Sequence, residues 1–122
     1  MSTDEIVQMM HRHFESLFPR QCSTCGHRFG SLREYILGTQ RVAGTISYDA
    51  ERGDWDTKLP IGAIAHANCT CGTTLALTTE GMPLADVHAV LRWVRAECLA
   101  LQAPPRVVIE SLRDEIRRRA LA

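Results

Sequence analysis

The N-terminal segment places apolar residues on one face of a helix. They recur every three or four positions: Ile6, Met10, Phe14 and Leu17. This spacing matches the 3.6-residue period of an α-helix. Ser2 and Glu5 match the capping-box pattern at its start, and Pro19 ends it because the residue before a proline avoids helical backbone angles. The pattern therefore predicts an N-terminal helix within residues 1–18.

The C-terminal segment carries the longest helical pattern of the chain. Its apolar residues are separated by alternating steps of three and four: Leu84, Val87, Leu91, Val94, Cys98 and Leu101. This a/d stripe predicts a helix over residues 84–101. Pro104 and Pro105 break that helix, and Pro105 suits the first turn of a second helix that reaches the C-terminus. Since the connection is short, we expect an antiparallel helical hairpin over residues 83–122.

The middle of the chain, residues 19–80, has a different pattern, in which β-branched residues, glycines and cysteines replace the helical stripes. A capping residue and a terminal glycine predict one short helix over 31–37. Alternating apolar residues predict a hairpin near 45–59 and strands over 61–67 and 73–79. We therefore expect a single α+β domain over 1–122, with an N-terminal helix, a central β region and a C-terminal helical hairpin.

Composition narrows the class of protein without naming its role. The chain has 122 residues, of which 45% are hydrophobic and 23% charged, as is ordinary for a globular domain. No run of about 18 apolar residues exists, so we expect no membrane span. Residues 1–5 are acidic and lack signal-peptide features, so we expect a cytoplasmic protein. The arginine- and alanine-rich composition is typical of a bacterial source.

Four cysteines form two close pairs, Cys22-x-x-Cys25 and Cys69-x-Cys71, and each pair is followed directly by a glycine. In a reducing compartment such pairs indicate metal ligands rather than disulfides. A glycine can adopt the positive φ that turns the backbone after the second thiolate. Because four thiolates complete a tetrahedral shell, the sequence predicts a closed, structural Zn²⁺ site at Cys22, Cys25, Cys69 and Cys71.

These ligand pairs make residues 20–80 resemble zinc-ribbon and zinc-knuckle modules. The likeness implies a small β element that holds zinc at the tips of two turns. The chain differs from the usual pattern in its shorter second pair and in the long separation, residues 26–68, between the pairs. The pairs are also similar in ligand type to the zinc centre of a redox-regulated heat-shock chaperone, which implies zinc release on oxidation. Iron, alone or in a cluster, is a further option.

Three other residues are candidate ligands or reactive groups. His27 and His66 lie near the pairs, and either could replace a cysteine in a site of three cysteines and one histidine. We expect four cysteines to bind the metal, with His66 as a strand residue beside them. Cys98 falls on the apolar stripe of the 84–101 helix, where a thiol packs as a small apolar group.

No catalytic motif accompanies the cysteines, and a closed zinc site lacks the open position that catalysis needs. We therefore expect a regulatory or adaptor protein that binds a protein partner, or a second copy of itself, through the 84–101 stripe. The alternative is a nucleic-acid-binding zinc ribbon. Balanced charges, 14 basic and 14 acidic residues, disfavour it. Arginines near the first pair and at the C-terminus favour it: Arg20, Arg28, Arg33, Arg41, Arg113, Arg117, Arg118 and Arg119.

Overall fold

The computed structural model describes residues 1–42, 50, 52–58 and 63–122. Over these residues the predicted α+β class is confirmed, because helices flank two small antiparallel sheets. The elements, in chain order, are α1 (Thr3–Ser16), β1 (Arg20–Gln21), β2 (Arg28–Phe29), α2 (Leu32–Gly38), β3 (Thr39–Val42), β4 (Ala63–Cys69), β5 (Thr74–Thr78), α3 (Leu84–Leu101) and α4 (Pro105–Leu121).

The capping box predicted for α1 is confirmed, whereas at α2 Ser31 caps the helix but the Glu34 carboxylate accepts from the Gly30 amide instead of completing a box. In α1 the Glu5 amide donates to Ser2 Oγ and the Ser2 amide donates to Glu5 Oε1, each at 3.2 Å. At the start of α2 the Glu34 amide donates to Ser31 Oγ at 3.2 Å. These bonds satisfy amides that have no partner within the helix. The residues that begin both helices are thus set by local sequence.

The second sheet has the strand order β3-β4-β5, and both pairings are antiparallel. Strands predicted over 61–67 and 73–79 are found at Ala63–Cys69 and Thr74–Thr78. The sequence pattern did not predict β3, which follows α2 directly when Thr39 adopts an extended conformation. β3 pairs Thr39 with Cys69 and so adds a third strand beside the second cysteine pair.

The hairpin predicted near 45–59 is wrong over residues 52–58, which form turns and bends instead of a strand. Gly53 has a φ of 80° there, and its amide donates to the Ala50 carbonyl at 3.1 Å. The Thr57 carbonyl is hydrogen-bonded to His88 Nε2 of α3 at 2.6 Å. A helix side chain thus occupies a carbonyl that a neighbouring strand would otherwise bind. The first arm of that hairpin, 45–48, lies outside the described residues.

The two C-terminal helices pack against each other and against α1. The middle of the α3 stripe is buried inside the chain, at Val87, Leu91 and Val94. Its ends are exposed, since Leu84 keeps 43% and Leu101 keeps 62% of its accessible surface. The chain itself covers the centre of the stripe, so only its ends are open to another chain, and binding of a partner through the stripe stays a prediction.

One cluster of buried side chains runs through α1, α2, the three-stranded sheet and both C-terminal helices. Two side chains join the sheet to the N-terminal part of the chain. His13 Nε2 lies 2.8 Å from the Thr78 carbonyl, and Arg20 Nη1 donates to the Ala76 carbonyl at 2.7 Å. None of the helices described is long and apolar enough to cross a membrane.

Candidate metal centre

The two cysteine pairs meet in the folded chain. The Sγ atoms of Cys22, Cys25, Cys69 and Cys71 all lie within 4.8 Å of one another. Across the pairs, Cys22 and Cys71 are 3.7 Å apart and Cys25 and Cys69 are 3.6 Å apart. A tetrahedron with metal–sulfur bonds of about 2.3 Å has edges of roughly 3.8 Å. The four cysteines are free, and these separations far exceed a disulfide bond of about 2.05 Å.

The first knuckle lies between β1 and β2. The Cys22 amide donates to the His27 carbonyl at 2.8 Å, and the Gly26 amide donates back to the Cys22 carbonyl at 2.9 Å. Gly26 has a φ of 78°, a backbone conformation that residues with a Cβ atom rarely adopt. The antiparallel pairing of Arg20 in β1 with Phe29 in β2 holds the two ends of the knuckle together. The glycine after the cysteine pair therefore has the conformational role that the sequence indicated.

The second knuckle joins β4 to β5 and repeats this design in a shorter loop. The Cys69 amide donates to the Thr73 carbonyl at 2.8 Å, and the Gly72 amide donates to the Cys69 carbonyl at 2.8 Å. Gly72 has a φ of 92°. Because Cys69 is the last residue of β4, the three-stranded sheet fixes its position. A Cys-x-Cys pair is thus enough to bring two thiols to the cluster when a strand ends at the first of them.

Hydrogen bonds favour the thiolate form at two of the four cysteines. The backbone amides of Cys25 and Thr24 lower the pKa of Cys22 to about 6. The Thr73 side chain and then its amide lower the pKa of Cys71. The His27 amide lowers the pKa of Cys25, but the thiol of Cys69 and desolvation outweigh it and raise that pKa to about 11. A bound divalent cation would offset the raised pKa of Cys25, since coordination deprotonates every thiol ligand.

The thiol cluster is half enclosed by protein. Cys22 and Cys69 are buried, whereas Cys25 and Cys71 are exposed. Cys71 Sγ is hydrogen-bonded to Thr73 Oγ1 at 3.2 Å, a contact that the sequence analysis did not predict. The sequence contained a weak sign of it, because Thr73 directly follows the Cys-Gly turn. Four soft donors in a tetrahedral-sized cluster fit a metal ion well.

The side chains of the other three candidate residues do not belong to this cluster. Within the described chain, the metal-capable group contains the four cysteines and neither histidine. The exposed His27 ring packs on Phe29, with ring centroids 4.5 Å apart. His66 lies in β4 opposite Ala76 of β5, and Cys98 is half-buried against the apolar core. The structure therefore brings together the four cysteines that the sequence indicated and leaves His66 in a strand.

The geometry of this centre is the strongest guide to the class of protein. The four thiols support a metal-binding chain, and the α+β scaffold shows how two distant cysteine pairs reach one point. Neither feature identifies the metal. No protein-family model, curated protein or solved structure matches this chain.

Proposed function

We propose that this protein is a small regulatory or adaptor protein whose fold depends on a structural zinc ion held by Cys22, Cys25, Cys69 and Cys71. The single observation that supports this proposal is that all four Sγ atoms lie within 4.8 Å of one another. Two separated pairs on tight turns suit a single tetrahedral ion rather than an iron–sulfur cluster, and zinc is the ion that we propose. A shell of four thiolates leaves no open position for substrate, so the role we propose is not catalytic.

The first experiment is elemental analysis of the natively purified protein, expressed as metal atoms per chain. We expect about one zinc per chain, as a closed tetrahedral site requires. Removing the zinc with a chelator should abolish cooperative melting of residues 20–80, and adding zinc back should restore it. Stoichiometric iron, or disulfides between the pairs without metal, would overturn the zinc assignment.

The surface that supports an interaction role lies where α3 ends and α4 begins. Leu99 and Leu101 are 73% and 62% exposed, and Val107 in the first turns of α4 is 48% exposed. Leu101 and Val107 line one surface depression with the half-buried Trp93, among charged residues of α1, α3 and α4, and Leu99 lies outside it. Exposed apolar side chains that lie next to one another are typical of surfaces that bind another molecule. This apolar end of the helical pair replaces the buried centre of the α3 stripe as the proposed contact.

Light scattering coupled to size-exclusion chromatography tests whether a second copy binds there. We expect a concentration-dependent dimer that the double variant Leu99→Glu, Leu101→Glu converts to monomer. A monomer at every concentration would exclude self-association and leave a different protein as the partner. The control is Leu84→Glu, which places one such charge on an exposed site at the other end of α3.

A redox switch is the second candidate, favoured by the exposure of Cys25 and Cys71. Exposed thiolates are the ones that peroxide reaches. Two-electron oxidation of a cysteine pair by peroxide would form one disulfide, yield water and release the metal. Zinc release by dilute peroxide, reversed by a thiol reductant, would favour the switch. A site that keeps its zinc under the same treatment would favour a purely structural role.

Nucleic-acid binding receives less support from the contacts of the arginines. Arg20 and Arg33 donate to the carbonyls of Ala76 and Leu121 at 2.7 and 2.9 Å, respectively. Arg41 pairs with Asp114 at 2.7 Å. These side chains hold the fold together, so fewer remain for phosphate contacts. Salt-dependent retention on a polyanion resin would favour nucleic-acid binding over the adaptor role.

A further inference from the structure

A cleft on the face of the three-stranded sheet lies outside the thiol cluster. It is formed where α1, α2 and α4 meet β4 and β5, and its apolar walls include Phe14, Leu32, Ile36, Leu77 and Ile116. The cavity volume is about 60 Å³, and the cleft is partly open to solvent. One water needs roughly 10–15 Å³, whereas a cavity that holds benzene measures about 150 Å³. The enclosed space therefore holds a short hydrocarbon segment, and the rest of a longer chain would extend through the open side of the cleft.

The hydroxyl groups in the cleft wall already have partners within the protein. Tyr35 Oη donates to the Leu75 carbonyl at 2.9 Å, and Thr39 Oγ1 donates to the Tyr35 carbonyl at 2.6 Å. Two small residues of β4, Ala65 and Ala67, leave the space open between the larger side chains. Since these hydroxyl groups are already hydrogen-bonded within the protein, a ligand inside the cleft would meet mainly apolar surface.

Positive charge surrounds this apolar space. Arg41, Arg113 and Arg117 line the cleft together with His66, and no carboxylate is among the described lining residues. Arg113 is only 7% exposed, and its Nη1 donates to the Ile64 carbonyl at 3.1 Å. Burial, and next the neighbouring Arg41, lower the pKa of Arg113, while Glu110 and Asp114 oppose this shift. The cleft thus holds a guanidinium that is poorly solvated and would gain from a nearby anion.

The three arginines differ in how far they are engaged. Arg41 is neutralised by Asp114 at 2.7 Å. Arg117 is exposed at the mouth, and across the described part of the chain it forms no hydrogen bond or ion pair. A guanidinium presents paired N–H groups that match a carboxylate. Arg117 is therefore the group best placed to bind an anion that enters the cleft.

We propose that this cleft is a binding site for a small aliphatic carboxylate, with the hydrocarbon chain between α2 and the sheet and the carboxylate at Arg117. The apolar walls select the hydrocarbon chain, and the excess of positive charge in the lining selects the anion. This site is separate from the thiol cluster, and the proposal does not depend on which metal the cysteines bind. It would give a regulatory protein a small-molecule signal to sense.

Calorimetric titration of the metal-loaded protein with hexanoate, butyrate and 1-hexanol tests the proposal. We expect hexanoate to bind more tightly than butyrate, by up to about fourfold for each added methylene group. The alcohol has the same chain without the charge, so we expect it to bind about fivefold more weakly or worse. Equal affinities for hexanoate and 1-hexanol, or no binding of hexanoate at millimolar concentration, would overturn the proposal.

Methyl NMR locates the bound probe. Hexanoate should shift the methyl resonances of Ala65, Ala67 and Ile116 and leave those of the exposed Leu99 unchanged. Shifts confined to Leu99, Leu101 and Val107 would place the probe at the apolar end of the helical pair and refute this site.

Variants on one helix separate the charge from general effects. Arg117→Gln should weaken hexanoate binding about fivefold, whereas Arg106→Gln, an exposed arginine of α4 outside the cleft, should leave it unchanged. Ala65→Leu should abolish binding by filling the space. If that variant does not fold, the smaller Ala65→Val should weaken binding, with metal content as the check on folding. Unaltered binding in both Arg117→Gln and the folded alanine variant would contradict the proposal.

Discussion

The thiol-cluster end and the helical end of this molecule are held together by different kinds of contact. Around the cluster, β1 and β2 contain two residues each, and two of the four cysteines are exposed. At the helical end, side chains with almost no exposure interlock between α1, α3 and α4: Ile6, Met10, Leu91, Val94, Ile109 and Leu112. The stability of the thiol-cluster end depends on a few hydrogen bonds and sulfur atoms, whereas that of the helical end depends on buried apolar area.

This difference predicts which agents will damage each end. Two-residue strands bury too little apolar surface to offset the conformational entropy lost on folding. A metal ion that links the two knuckles would supply the missing free energy. The helical end obtains its stability from burial, at about 25 cal/mol per Å² of apolar surface. Chelators and oxidants should therefore act on the knuckles, and substitutions in the core should act on the helices.

Loss of a buried thiol should have the largest effect. Cys69→Ser should release the metal and abolish cooperative folding of residues 20–80, because zinc binding is worth about 10–16 kcal/mol in zinc-finger peptides. Elemental analysis and thermal melting measure both results. Cys98→Ala is the control, and it should keep the metal and cost about 1 kcal/mol. A Cys69→Ser protein that retains zinc and melts cooperatively would contradict the four-ligand site.

A cavity in the helical core should come next. Leu91 of α3 is fully buried, so Leu91→Ala should lower the free energy of unfolding by about 2–5 kcal/mol. Urea denaturation measures this change, and metal content under native conditions should stay the same. The control Leu99→Ala, at a residue 73% exposed, should change stability by less than about 0.5 kcal/mol. Metal loss from folded Leu91→Ala protein would show that the two ends are not independent.

Backbone strain in a knuckle should have a smaller effect. Gly72 has a φ of 92° with open space around its Cα, so Gly72→Ala adds strain without a clash. A residue with a Cβ in this conformation costs about 1–2 kcal/mol, and chelator competition should show weaker metal binding. Gly53→Ala is matched in strain, with a φ of 80° and open space, but lies away from the cysteines. It should leave metal affinity unchanged, and an equal loss in both variants would argue against a local effect.

The smallest effect should come from the ion pairs of Glu115 within α4, which reach α1 only through Arg119. Hydrogen bonds from Arg118 and then Arg119 lower the pKa of Glu115 to about 2, and Arg119 also pairs with Asp4 at 2.7 Å. A lowered folded-state pKa stabilises the protein above the unfolded value of about 4.5, and this contribution is lost as the pH falls from there toward 2.

The melting temperatures of the wild type and Glu115→Gln should therefore differ slightly at pH 7 and converge as the pH approaches 2. Comparison at equal pH cancels any loss of metal in acid, because both proteins keep the same cysteines. Glu110→Gln, on the same helix, is the control and should show a smaller difference. A gap that widens on acidification would mean that Glu115 does not stabilise the fold through its charge.

Local sequence was enough to predict most helices. The predicted helices 1–18, 31–37 and 84–101 are found within two residues of those limits, because capping serines, prolines and apolar spacing act over a few residues. Strands were predicted less well. β3 follows α2 without a loop, and only its pairing with β4 identifies it as a strand. Trp55 and Thr57 alternate like strand residues, but they lie in a bend and in coil because a helix side chain binds the Thr57 carbonyl.

The candidate metal centre could be recognised from four cysteines and two glycines, but its assembly could not. Residues 26–68 separate the pairs, and nothing in their spacing shows that the chain returns to the first knuckle. That return depends on β4 pairing with β5 and on the contacts of Arg20 and His13 with β5. Such contacts join residues far apart in sequence, where spacing carries no information.

The sequence by itself determined the α+β class, the ends of the main helices, and the thiol chemistry at Cys22, Cys25, Cys69 and Cys71. Tertiary structure alone decided that the middle of the α3 stripe is buried, that its end near Leu101 is exposed, and that a positively charged cleft lies beside the sheet. The physical reason is range. Caps, turns and ligand types depend on neighbouring residues, whereas burial and cavities depend on which distant segments pack together.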